Sequence, residues 1–158
     1  MALCGIVGAC SWFDIFGDDI VTDTSTGLMW TKDASNPSVE SCKGGVKNYN
    51  GAMDYVKCLN SLNYLGYNDW RMPTLEESKS LFVKDQPDMK KWLNEQGFMF
   101  LFRELDDGYW TSTPSEGDVN AVWCAQRMFI NREVTSNFSF ELVKKGSYRY
   151  ILLVRSGK

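Results

Sequence analysis

The sequence predicts an α+β fold. Two amphipathic helical segments fall early, the second half breaks into short strand-like runs, and strands and helices do not alternate as βαβ units require. At 158 residues the chain suits one domain over 1–158, long enough to bury a real core. No internal repeat, low-complexity tract or interdomain linker interrupts it. Hydrophobic residues at 44% and charged residues at 23% are ordinary for a folded protein, whereas aromatics at 14% are high. Such rings supply buried area in a core and sticky area on a binding surface.

Residues 1–12, "MALCGIVGACSW", read as an apolar leader or a first strand. Val7-Gly8-Ala9-Cys10 is similar to the end of a bacterial lipoprotein signal, which would make Cys10 a lipid anchor. The segment is short and lacks a positive n-region, so a truncated signal or a plain strand is favoured. Residues 12–33 read as short strands, with turn chemistry at Asp18-Asp19 and in "DTSTG". Residues 34–48, polar and holding Pro37 and Gly44-Gly45, read as a loop.

The first helix is expected from an N-cap at Asn50, ending between Asn63 and Gly66. Ala52, Val56 and Leu59 lie on its inward face, with Tyr55 and Leu62 on the flank. The second follows "DWRMPT". Thr74 and Glu77 form a T-x-x-E capping box, and Leu75, Ser78, Leu81 and Phe82 face inward. Pro73 keeps Met72 extended just before that start. A third helix is expected from Asp88 to Gln96, closed by Gly97. The apolar "FMFLF" at 98–102 should be buried. Strands are expected at 108–113, 121–129, 138–143 and 148–155.

Composition narrows the chemistry. A net charge of −3 gives no general attraction to nucleic acid or anionic lipid, so no nucleic-acid partner is expected. Histidine is absent, which removes Ser–His and Cys–His pairs and His-ligated zinc. No apolar run approaches the ~18 residues of a membrane-spanning helix. The five cysteines, Cys4, Cys10, Cys42, Cys58 and Cys124, contain no Cys-x-x-Cys pair. Cys42 and Cys58 would bridge if the fold brings them together; reduced, buried thiols are the equal alternative.

Four stretches then stand in a specific order: "DTSTGLMW" (23–30), "YNDWRMPT" (67–74), "GYWTSTP" (108–114) and a closing "VR" (154–155). This set resembles the family typified by the C-terminal domain of Legionella collagen-like protein, over about residues 20–155. The resemblance implies a C-type lectin-like fold, akin to the formylglycine-generating enzyme and to variable proteins of diversity-generating retroelements. In it two helices lie on a small twisted, mainly antiparallel sheet, and the N- and C-terminal strands pair. The chain departs from the family at Leu152-Leu153-Val154-Arg155, where Arg-Cys-Val-Arg is common, and over 115–147, where related proteins carry ligand-binding diversity.

That resemblance makes a non-catalytic binding module the leading expectation. It would be an adhesin or receptor binder for a surface glycan, polysaccharide or protein, displayed outside a bacterial cell or on a virion. Its surface is expected in 112–147, from Ser112, Thr113, Ser115, Glu116, Asp118, Asn120, Trp123, Gln126, Arg127, Asn131, Arg132, Thr135, Asn137 and Ser139. Rigid aromatics there give contact area at small entropic cost, while short polar groups adapt their hydrogen bonds. A sulfated polysaccharide would need a basic patch, which Arg127, Arg132, Lys144, Lys145 and Arg149 could form. A retroelement-diversified receptor binder is the other form of this reading. A homo-oligomer, as a trimer, is compatible with either. On composition alone 112–147 would be a solvated, irregular hairpin region.

Trp30, Trp70, Arg71, Pro73 and Trp110 are expected to be structural: Trp70 and Pro73 bracing the helix start, Arg71 pairing with a carboxylate or loop carbonyls. No metal, cofactor or acid–base pair is expected. Gln86-Pro87-Asp88 spells a galactose-type calcium-lectin tripeptide. Its dyad-like Asn68-Asp69 precedes rather than follows it, and calcium wants six to eight oxygens. The rival class is a copper oxidase of the formylglycine-generating type. Its site would need two nearby cysteines, and Cys124 could be joined only by Cys58 through the fold.

Overall fold

The computed structural model describes residues 13–16, 19–99 and 108–157. The elements run Phe13–Phe16 (β1), Ile20–Asp23 (β2), Leu28–Thr31 (β3), Tyr49–Ser61 (α1), Leu75–Phe82 (α2), Met89–Glu95 (α3), Gly108–Pro114 (β4), Ala121–Ile130 (β5), Glu133–Lys144 (β6) and Val154–Ser156 (β7). The architecture is α+β and C-type lectin-like, with two small antiparallel sheets where the sequence suggested one. The first has the order β1-β2-β3-β7 and the second β4-β5-β6. The closing strand pairs Arg155 with Met29 and Val154 with Trp30, so the chain's end returns to its beginning.

Period-two alternation turns these sheets into a wall between two apolar clusters. Trp30, Tyr109, Ala125, Leu152 and Val154 join Leu81, Phe82, Met89 and Leu93 of α2 and α3. Their strand neighbours Met29, Trp110, Cys124, Ile151 and Leu153 join Ala52, Tyr55, Val56 and Leu59 of α1. The helices therefore cover opposite faces of the wall.

Several expectations shift. The first helix is capped by Asn48, whose side chain accepts the Gly51 N–H at 2.9 Å, and not by Asn50. Apolar spacing fixes a helix face, and two asparagines two residues apart both satisfy it as a start. The capping box of α2 forms as read, with both Thr74 and Glu77 engaged. Phe98 is buried, but Met99 is 38% exposed. Its backbone is held between Lys32 and Ala34 while its side chain alternates outward. Residues 100–102 lie outside the described residues, as do the 1–12 segment and Cys10.

The stretch 148–155 is not one strand. Tyr150 bonds Gly108 and Trp110 in the second sheet, whereas Val154 bonds Arg71 and joins β3 in the first. Between them the Ile151 N–H is taken by the Asn36 side chain at 3.0 Å. One apolar run thus ties the two sheets together. The expected strand at 138–143 is longer than its apolar part and begins at Glu133.

Cys42 and Cys58 form a disulfide with a Cα–Cα distance of 5.7 Å, pinning the 34–48 loop to α1. The loop's polar character hides how much it carries. The Trp110 Nε1–H donates to the Lys47 carbonyl at 2.8 Å, and the Tyr55 hydroxyl to that of Pro37 at 2.7 Å. Gly44 runs so close to Asn36 that a Cβ would meet its carbonyl oxygen at 2.0 Å.

Candidate binding surface

The DWRMPT segment is framework. Trp70 is 1% exposed, and its Nε1–H donates to the Tyr64 carbonyl at 2.7 Å. Its backbone is gripped on both sides by the Asn60 amide. Arg71 meets Glu77 in a two-pronged pair at 2.7 Å for each prong, which fixes the α2 capping residue from behind. That guanidinium holds the Glu77 carboxyl below the usual carboxylate range. Asp69 pairs with Arg155, whose guanidinium stacks 3.8 Å from the centre of the Tyr67 ring. Trp30 and Trp110 are fully buried.

Two residues expected to bind ligand also serve this frame. The Ser112 N–H donates to the buried Pro73's carbonyl at 2.8 Å, and Thr113 Oγ1 accepts the Leu75 N–H of α2 at 2.9 Å. They lock β4 onto the start of α2.

The remaining candidates do not form one surface. Ser115, Glu116, Asp118 and Asn120 sit in the β4–β5 turn, where Ser115 accepts the Asp118 N–H and Asp118 accepts that of Asn120. Asp118 also pairs with Lys144. Asn131 and Arg132 form the opposite end, the tip of the β5–β6 hairpin, both with left-handed backbone at φ 52° and 66°. A strand of twelve residues separates those ends by roughly 40 Å. The expected basic patch splits with them, because Lys145 stacks on Tyr49 at the turn end, at 5.6 Å. Trp123 is half-buried, paired across the ladder with the exposed Leu142.

Between the ends, the hairpin shows a different side chain set on each face. On the face bearing α2 and α3, Arg127 pairs with Phe138 in register and borders a groove of 610 Å³. Asp88, Lys90, Lys91, Asn94 and Glu95 of the α3 segment form its other wall, with Thr135 and Ser136 completing the hairpin side. The Arg127 side chain is half-buried and, among the described residues, has neither an ion pair nor a hydrogen bond. Arg71 and Arg155 both have carboxylate partners. Thr135 donates to the Met128 carbonyl, and Asp88 caps Lys91 of α3. The contribution of α3 was missed in sequence, where Asp88 and the lysines read as a capped, solvated helix.

On the opposite face, Gly108, Gln126 and Ser139 stand in one row across three strands. The Gln126 amide donates to Glu141 at 2.5 Å and accepts from Arg149 at 3.5 Å. Asn137 is exposed further along the same strand.

The copper arrangement does not assemble. Cys58 is bonded to Cys42, and Cys124 is buried in the wall, its thiol pushed up to about 12 by that burial. Asp88 and Asp69, the two ends of the calcium-like motif, cap α3 and pair with Arg155 respectively.

The sequence pattern of the Lcl C-terminal domain matches residues 19–155. The chain belongs to the Lcl C-terminal domain family. No curated protein and no solved structure matches it. The match begins next to β2 and ends inside β7, so the family pattern covers α1 to α3 and every strand of the two sheets but β1, with β7 reached to Arg155. Of this Lcl C-terminal domain, the described residues hold no helix long and apolar enough to cross a membrane.

Proposed function

We propose that this Lcl C-terminal domain is a non-catalytic binding module that holds an anionic surface glycan in the groove between α3 and the β5–β6 hairpin. Arg127 carries the reading. A half-buried guanidinium has lost part of its hydration, and without a partner among the described residues it favours a carboxylate or sulfate supplied from outside. Lys90 and Lys91 line the same groove, and the Thr135 and Ser136 hydroxyls suit a sugar's own. A volume of 610 Å³ fits a small ligand or a short stretch of a longer chain.

The Cys42–Cys58 disulfide supports an exported protein, since such bonds persist in oxidising compartments, and surface display on a bacterium accords with the family. Because Cys58 is bonded to Cys42, it offers Cys124 no second thiol, and the oxidase alternative gains no support from this pair.

Dextran sulfate against neutral dextran, on the immobilised domain, tests the proposal. Dextran sulfate should bind with an affinity that falls as salt rises, and Arg127→Ala should weaken it about tenfold or more, the loss of one charge-assisted contact. Equal retention of the two polymers, or an unaffected Arg127→Ala variant, would overturn it.

A further inference from the structure

We infer a second binding site, for a neutral polyol such as the vicinal diol of a sugar, on the hairpin face opposite the groove. Its core is Arg149, Gln126 and Glu141. Gly108 is the residue that makes it. A Cβ there would lie 2.9 Å from Arg149 Cδ and 3.0 Å from Nε, so the arginine occupies the space a side chain at 108 would fill. Glycine at a strand position commonly marks such a close approach.

Arg149 is also held in place at the cost of one unmet donor. Its backbone is clamped by reciprocal bonds with Lys47, and Nη1 donates to the Tyr148 carbonyl at 2.7 Å. Its Nε is buried without a hydrogen-bond partner. A glycine in a strand and an orphaned guanidinium nitrogen both cost stability, and together they accompany one cation held close over Gly108 and beside Gln126.

The result is an ordered row of hydrogen-bonding groups. The Glu141 carboxylate accepts, the Gln126 amide both donates and accepts, and the Arg149 guanidinium donates. Each hydroxyl of a diol donates one hydrogen bond and accepts others, so adjacent hydroxyls can satisfy the carboxylate and the guanidinium at once. Charge selects for neutrality: Glu141 repels an anion and Arg149 repels a cation.

The test is a nuclear magnetic resonance titration of the full chain with D-galactose, D-mannose and L-fucose, with N-methylacetamide as an amide control. At least one sugar should shift the Gln126 side-chain NH2 and Arg149 guanidinium resonances, with little effect of added salt. Glu141→Gln, an exposed isosteric change, should weaken that sugar at least fivefold. Arg127→Ala should leave it unchanged, which separates this site from the groove. No shift with any sugar, or an unaltered titration in Glu141→Gln, would overturn the proposal. So would shifts with N-methylacetamide alone.

Discussion

Replacing Trp70 by alanine empties a fully buried site at the junction of α1, the Tyr64–Gly66 turn and the α2 start. Truncating a buried tryptophan costs about 3–5 kcal/mol through lost transfer energy and the cavity left behind. The Tyr64 carbonyl also loses its 2.7 Å donor, adding about 1 kcal/mol if the site stays dry. The Tyr67 ring, edge-on to Trp70 with centroids 6.0 Å apart, loses its neighbour, and Tyr67 in turn supports Arg155. A total of about 4–6 kcal/mol is a large share of a domain's net stability. At about 2–4 °C per kcal/mol for a chain of this size, the melting temperature should fall by about 10–20 °C. Circular dichroism melts measure it, with half-buried Trp123→Ala as the comparison, expected to shift by less than half as much. A drop under about 4 °C for Trp70→Ala would refute the bracing role.

Other perturbations test separate links. The Cys42→Ser/Cys58→Ser variant opens a loop with a sequence separation of 16 and should lose about 3 kcal/mol, read by urea denaturation with and without reductant. Gly44→Ala should be more destabilising than a surface change, because the opposing atoms belong to the Asn36–Ser38 backbone; a thermal melt checks it. In a Cys4→Ser/Cys10→Ser background, Cys124 should resist a thiol reagent at neutral pH and react only once the protein is unfolded, since burial pushes its thiol up to about 12. Asp69 and Glu77 are both held below their usual range, chiefly by hydrogen bonds from Arg155 and Arg71. Their stabilisation is complete above the unfolded values near 4 and is lost as pH falls through the lower folded ones. Acid melts should therefore show stability declining below about pH 4, with a flatter decline in Asp69→Asn/Glu77→Gln.

Much of the frame was legible because it is written in local patterns. The capping box of Thr74 and Glu77 needs only four residues, and the inward face of α1 needs only helical spacing. The side-chain partner of Arg71 and the hydrogen-bond partners of Trp70 also lie within ten residues of them. What the sequence concealed depends on distant strands. Alternation within 148–155 suggests one strand, and only the presence of two separate sheets divides it. The candidate surface suffered likewise. Neighbours in sequence, such as Gln126 and Arg127, face opposite ways on a strand, while Arg127 and α3 are brought together only by the sheet's position. Gly108 gave no signal of its own, since its purpose appears only when Arg149 lies across it.

The party-wall position of the hairpin divides its sequence into two regimes of tolerance. Ala121, Val122, Cys124 and Ala125 are shared masonry: all four are buried, and an altered side chain at the last three disturbs one apolar cluster or the other. From Arg127 to Asn137 every described side chain is at least partly open to solvent, and the ladder is kept chiefly by backbone bonds, with the Thr135 hydroxyl adding one to the Met128 carbonyl. That outer span can therefore be rewritten wholesale, by evolution or by a combinatorial library, while the inner four positions stay fixed.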